Sequence, residues 1–157
     1  MINQFRISKY NPLFRSEKGN YSIKEWTDFS DIGKQYLGKV FSYDEYIRTE
    51  KRYMDTIMEV AHTAKIPDFS IENYEGKSSR ILEKRVSLEA VPSVIKSVLR
   101  NEFWCELVSD GFFVHFGYDY YIYIGCVLSH DVVRKISSKH KLYCEEVTSP
   151  YYFDNTK

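Results

Sequence analysis

The chain has few cysteines, little proline or glycine, no net charge and no long apolar run, and each shortage narrows the reading. Its 157 residues hold three cysteines, Cys105, Cys126 and Cys144, an odd number with no C-x-x-C spacing. A secreted disulfide framework would need pairs at regular spacing, so each is read as a small buried hydrophobe in a reducing compartment. Four prolines and seven glycines are too few for a flexible linker, and no internal repeat is present. A chain of this length is then one globular domain, able to bury a core without staples. Twenty-two bases balance twenty-two acids. That argues against a dedicated nucleic-acid binder, whose affinity rests on neutralising phosphates. No apolar run approaches the length of a membrane span, and Met1–Arg6 lacks a basic segment leading into an apolar one. The expected location is therefore cytoplasmic.

Catalytic signatures are also missing. There is no G-x-S-x-G, no H-E-x-x-H and no Rossmann glycine pattern. His62, His115, His130 and His140 match no zinc spacing. Gly76-Lys77-Ser78 resembles the end of a phosphate-binding loop, but Ile71 stands where the upstream glycine is needed. No metal and no cofactor is expected.

What the chain has in excess is aromatic: 17% of residues, with 14 Tyr and 10 Phe. They crowd into Phe103–Cys126, a stretch with no Lys, Arg or Pro. Ser109-Asp110-Gly111 and Gly117-Tyr118-Asp119 divide it into Phe103–Val108, Phe112–Phe116 and Tyr120–Cys126. These read as three strands of an antiparallel meander. Residues 4–10 alternate, with Phe5 and Ile7 on one face, and read as a further strand ended by Asn11-Pro12. Trp26, Phe29 and Ile32 recur at spacing three, a helical turn or a compact loop.

Ser42 with Glu45 forms a capping box ahead of the longest helical pattern, which runs to about Lys65. Tyr46, Ile47, Glu50, Tyr53, Met54, Ile57, Met58, Ala61 and Ala64 make its inner stripe, and all but Glu50 are apolar or aromatic. On the other face Arg52 can pair with Asp55. Ile66-Pro67 stops the helix. Asp68–Tyr74 alternates as a strand with Phe69, Ile71 and Asn73 inward, Glu75–Ser79 is a loop, and Arg80–Leu88 fits either helix or strand. Pro92 opens a short helix ending near Asn101. Ser129 caps another that reaches about Lys139, Leu142–Val147 closes an edge strand, and Ser149–Lys157 is an irregular end. The fold class is α+β: a single antiparallel sheet of about five or six strands with two or three helices packed on it.

Candidate functional residues come from the meander. Residues 102–131 contain Glu102, Glu106, Asp110, Asp119 and Asp131 and no Lys or Arg, whereas 77–101 carry six Lys and Arg and two acids. Either the two blocks neutralise one another inside the fold, or the acids face a partner. Tyr121 and Tyr123 share one strand face while Ile122 and Ile124 share the other. The isoleucines are the natural core face, which leaves the tyrosines for recognition unless a helix covers them as well. The expected binding residues are Glu102, Glu106, Asp110, Tyr118, Asp119, Tyr121 and Tyr123. His115, in the middle strand, is the alternative centre: a general base for Cys105, Cys126 or a carboxylate. Asp55 and Glu59 share a helix face but lack further acids for a metal, so a solvated acidic face is the simpler reading.

Phe5-Arg6-Ile7-Ser8-Lys9-Tyr10-Asn11-Pro12, Glu25-Trp26-Thr27 and Ser30-Asp31-Ile32-Gly33 resemble the opening of small proteins of Gram-positive bacteria with no established activity. The resemblance covers about the first third of the chain and transfers no catalytic residue. Proteins of this size and style in those genomes are often immunity proteins of secreted-toxin systems. What the resemblance and the acidic meander imply together is a binding protein that occludes a basic toxin domain. The alternatives are a small enzyme using His115, or a structural subunit of a larger assembly.

Overall fold

The computed structural model describes residues 1–76 and 83–152. In chain order the strands and helices are β1 (Asn3–Ser8), β2 (Gln35–Tyr36), β3 (Lys39–Val40), α1 (Tyr43–Thr63), β4 (Asp68–Gly76), β5 (Arg85–Ser87), α2 (Val91–Leu99), β6 (Phe103–Ser109), β7 (Phe112–Phe116), β8 (Ile122–Cys126), α3 (His130–Lys139) and β9 (Tyr143–Glu145). Seven strands form one antiparallel sheet in the order β5-β4-β6-β7-β8-β1-β9, and β2 and β3 make a separate hairpin. The class is α+β, and the sheet is larger than its sequence indicates because β5 and β9 are three-residue edge strands. The loop expected at Glu75–Ser79 and the ambiguous stretch Arg80–Leu88 partly lie in residues 77–82, outside the described residues. So does the tail beyond 152. The described portions resolve as the end of β4 and as β5.

The meander sits at the centre of the sheet, with β1 returning beside β8. Period-two alternation sorts its side chains. Phe5, Ile7, Cys105, Leu107, Val114, Ile122 and Ile124 are fully buried and join Tyr46, Tyr53, Ile57 and Val60 of α1, Ile95 of α2 and Val133 of α3 in one core. The opposite face carries Trp104, Glu106, Phe113, His115 and Tyr123, and among the described residues no helix covers it: residues 149–152 cross it instead. Gly125 permits this second layer. A Cβ there would lie 2.2 Å from the Phe113 ring, its cross-strand neighbour.

Two expectations of side-chain direction fail. Asn73 is exposed, not inward, because the β4–β6 register shifts between Glu72 and Glu75 and Asn73 takes a left-handed φ of 52°. A bulge of this kind interrupts the alternation on which the expectation rested. Asp55 pairs with Lys51 at 2.5 Å rather than with Arg52, across the i,i+4 spacing.

Helix α1 starts as its capping box indicates, with the Ser42 hydroxyl accepting from the Glu45 N–H at 3.1 Å. It ends at Thr63, and Lys65 turns left-handed ahead of Pro67. Glu50, the one polar residue on the inner stripe, is 3% exposed. It accepts a two-pronged hydrogen bond from Arg100 at the end of α2, both contacts 2.9 Å. The paired carboxylate raises the pKa of the guanidinium further above its ordinary value. A buried carboxylate is tolerable only with such a partner, and removing one half of the pair leaves the other charge stranded. Glu50→Ala is therefore expected to destabilise the protein by about 3–5 kcal/mol. Lys51→Ala, which breaks only a solvent-exposed pair one residue on, should change stability by less than about 0.5 kcal/mol. Urea melts of the two variants check this.

Candidate functional site

The third strand of the meander starts two residues later than its sequence suggests. Tyr118–Tyr120 forms a 3-10 turn, and β8 starts only at Ile122. Asp119 and Tyr120 both take left-handed φ angles, 59° and 66°. For two consecutive non-glycine residues this is sparsely populated backbone, at a cost of order 1–3 kcal/mol each, and it persists only when the surroundings dictate it. Here they do. Tyr120 is 5% exposed and plunges under α1. Its ring meets Tyr53, Trp26 and Tyr46 edge-on at centroid distances of 4.7, 5.1 and 5.9 Å. Its hydroxyl donates to the Tyr46 hydroxyl at 3.0 Å, and Tyr46 donates to the Leu99 carbonyl at 3.3 Å. From the other side the Tyr10 hydroxyl donates to the Asp119 carbonyl at 2.6 Å. The turn is thus pinned by its buried member, and Tyr118 stands out at 86% exposure beside exposed Asp119.

Tyr118 and Asp119 form one lip of a cleft of about 560 Å3 at this end of the sheet. Val98, Leu99 and Phe116 contribute apolar lining, Trp104 and Tyr151 aromatic lining, and Asp28 and Glu75 carboxylates. Among the described residues that line it there is no Lys or Arg. Asp28 is already engaged by the Asn101 amide, at 2.9 and 3.0 Å. The indole N–H of Trp104 donates to the Phe116 carbonyl at 2.9 Å, which holds the ring against Tyr151. Tyr121 divides this cleft from a second one of about 470 Å3. On that side the Arg6 and Arg15 guanidiniums lie 5.1 and 5.5 Å from the Tyr121 ring, share Glu145, and Arg15 donates to the Tyr121 hydroxyl at 2.9 Å.

Of the residues expected to bind, Tyr118, Asp119 and Tyr121 are brought together at this cleft. Glu102 is exposed at the same end of the sheet, next to Asn101. Tyr123 is buried, its ring 6.3 Å from that of Tyr151, and Glu106 is buried where it accepts from the Asn73 amide at 2.9 Å. Asp110 lies in the β6–β7 turn at the opposite end, roughly 14 Å away along β7 at about 3.4 Å per residue. The residues that sequence reasoning missed are Trp104, Tyr151, Glu75 and Asp28. They come from four separated segments, and no local spacing marks them.

His115 stacks on Phe113 with centroids 4.1 Å apart. Its Nδ1 lies 2.8 Å from the Ser149 hydroxyl, and its Nε2 lies 3.8 Å from Glu106. Burial pushes the imidazole pKa down to about 4, and burial likewise raises that of Glu106, against the Asn73 hydrogen bond. Of the partners anticipated for His115, the carboxylate is near. Cys105 and Cys126 point to the helix-covered face, and burial raises both thiol pKa values, that of Cys105 to about 12. Thiols so far from ionisation are poor nucleophiles. Ser149 completes a serine–histidine–glutamate row, but it is 2% exposed. Its N–H donates to Gln4 at 2.8 Å, and its hydroxyl also accepts from the Tyr151 N–H at 3.2 Å. The row clasps the tail onto the sheet. Among the described residues no group of three His, Cys, Asp or Glu is placed to hold a metal ion, and no helix is long and apolar enough to cross a membrane.

The chain matches no protein-family model, no curated protein and no solved structure.

The lowered imidazole pKa sets a pH dependence. Between pH 6.5 and about 4 the unfolded chain protonates this histidine while the folded protein does not. Stability contributed by His115 is thus present above pH 6.5 and lost as pH falls towards 4, by about 3 kcal/mol in all. Denaturant melts across this range should show a shallower pH slope for His115→Gln than for the wild type.

Proposed function

We propose that this chain is a protein-binding module of the cytoplasm, acting as an immunity-type inhibitor that occludes a basic toxin domain by steric and electrostatic contact. The observation that carries the reading is the strained turn at Tyr118–Tyr120. The buried Tyr120 holds this costly backbone in place, and the same turn displays an exposed tyrosine and a carboxylate at the mouth of a cleft, an arrangement suited to recognition. Charge supports it. Among the described residues no Lys or Arg forms an ion pair with Glu102, Asp110 or Asp119. Two described members of the basic block are engaged elsewhere: Arg85 pairs with Asp68, and Arg100 with Glu50. Glu102 and Asp119, at the cleft end of the sheet, are thus left to face a partner, whereas Asp131 pairs with Arg134 and Lys135 and Glu106 is buried against Asn73. The resemblance of the N-terminal third supplies the kind of partner.

The gene is expected to neighbour one for a secreted toxin with a basic toxic domain. With that domain, association should accelerate at low ionic strength, because steering acts on encounter. Asp119→Asn should slow association roughly threefold at low salt and flatten its salt dependence, while Asp110→Asn, at the far end of the sheet, should not. Stopped-flow association rates across a salt series make the measurement. Equal rates and slopes for wild type and Asp119→Asn would move the interface off the cleft, and the absence of any complex would overturn the inhibitor reading.

A further inference from the structure

We infer that the cleft receives an arginine side chain, presented by the partner, between Tyr118, Trp104 and Tyr151 and against Glu75 and Asp119. The protein's own cations are the guide. Arg6 and Arg15 lie over Tyr121 and share Glu145. Arg100 lies within 6 Å of the Phe29, Tyr43 and Tyr46 rings and is forked by Glu50. Lys9 sits 4.3 Å from the Tyr10 ring and 4.1 Å from the Trp26 ring, paired with Glu25. In each case this fold holds a cation with an aromatic face and a carboxylate together. The cleft at Tyr118 has the same parts, aromatic walls and carboxylates, and the described residues that line it supply no cation.

The chemistry selects arginine over lysine. A guanidinium is planar, stacks on aromatic faces and is less strongly hydrated than an ammonium. It also offers a fork of donors to carboxylates on two sides. Glu75 stands opposite Trp104 across the β4–β6 ladder, while Asp119 is carried by the turn. Asp28 is held by Asn101 and serves as background charge. A volume of about 560 Å3 admits the side chain with its flanking backbone.

The inference rests on the protein-binding reading only for the source of the arginine. The site can be tested with a capped Gly-Arg-Gly peptide, a capped Gly-citrulline-Gly peptide of nearly the same shape without charge, and a capped Gly-Lys-Gly peptide. Nuclear magnetic resonance titration should show saturable shifts of the Trp104 indole N–H and of the 117–121 amides with the arginine peptide. Affinity should drop by about tenfold or more for citrulline and severalfold for lysine. Glu75→Gln and Asp119→Asn should each weaken the arginine peptide severalfold, and Asp110→Asn should leave it unchanged. Tyr118→Ala, at a side chain exposed enough not to disturb folding, should weaken it as well. Equal binding of arginine and citrulline, or shifts confined to other parts of the protein, would overturn the assignment. If the peptide fills the cleft but no toxin complex forms, the inhibitor reading falls and the arginine site stands. If a complex forms and Asp119→Asn slows it while the peptide leaves Trp104 unmoved, the arginine assignment falls alone.

Discussion

The burial of Tyr120 is the constraint on which the rest of this structure depends. One side chain, driven under α1 by its apolar ring and satisfied there by Tyr46, joins the meander to the longest helix. The aromatic cluster around it extends to Trp26, which stacks on Phe41 at 4.3 Å, and so ties in the irregular N-terminal segment. Lys9 is held within this cluster. Burial pulls its pKa below the ordinary value, with the hydrogen bond to Glu25 working against that. Because Tyr120 faces inward from a left-handed backbone, its neighbours Tyr118 and Asp119 must face outward. The core and the candidate site are consequences of the same turn.

The two faces of the sheet are stabilised differently. The helix-covered face is a continuous apolar core, the dominant source of stability in a domain of this size. The opposite face mixes Phe113 and Tyr123 with Glu106 and His115, and its cover is a short turn anchored by Ser149. A buried polar group must be hydrogen-bonded, and the tail supplies the bond that His115 Nδ1 needs. In return His115, Gln4 and the aromatic rings fix the position of Tyr151, which then lines the cleft. Through these contacts His115 holds one of the walls of the cleft in place.

Charge is distributed to the same end. The fold neutralises most of its interior cations with named carboxylates, and aromatic rings accompany nearly all of them. The cleft at Tyr118 is where aromatic walls and carboxylates meet without such a cation among the described residues. That asymmetry, rather than any catalytic grouping, gives the binding reading its physical content.

Much of the architecture was legible locally. Alternation marked β1, β4 and the meander, capping residues marked the starts of α1 and α3, and Pro92 marked the first turn of α2. Glu50 on an apolar stripe announced a buried partner without naming it. Tyr118, Asp119 and Tyr121 could be singled out because a turn signal beside acids and tyrosines is a local pattern. What the amino-acid order could not convey was which distant groups would meet. Arg100 reaches Glu50 across 50 residues, Ser149 reaches His115 across 34, and the cleft draws on segments near positions 28, 75, 104, 118 and 151. Nor did alternation foretell that Tyr120 leaves the strand pattern and turns inward, or that a bulge exposes Asn73. Local propensity and periodicity are properties of neighbouring residues, and they determined the elements. The site was decided by tertiary packing, because long-range contacts follow from how whole faces pair, and that pairing is written in no single stretch of the chain.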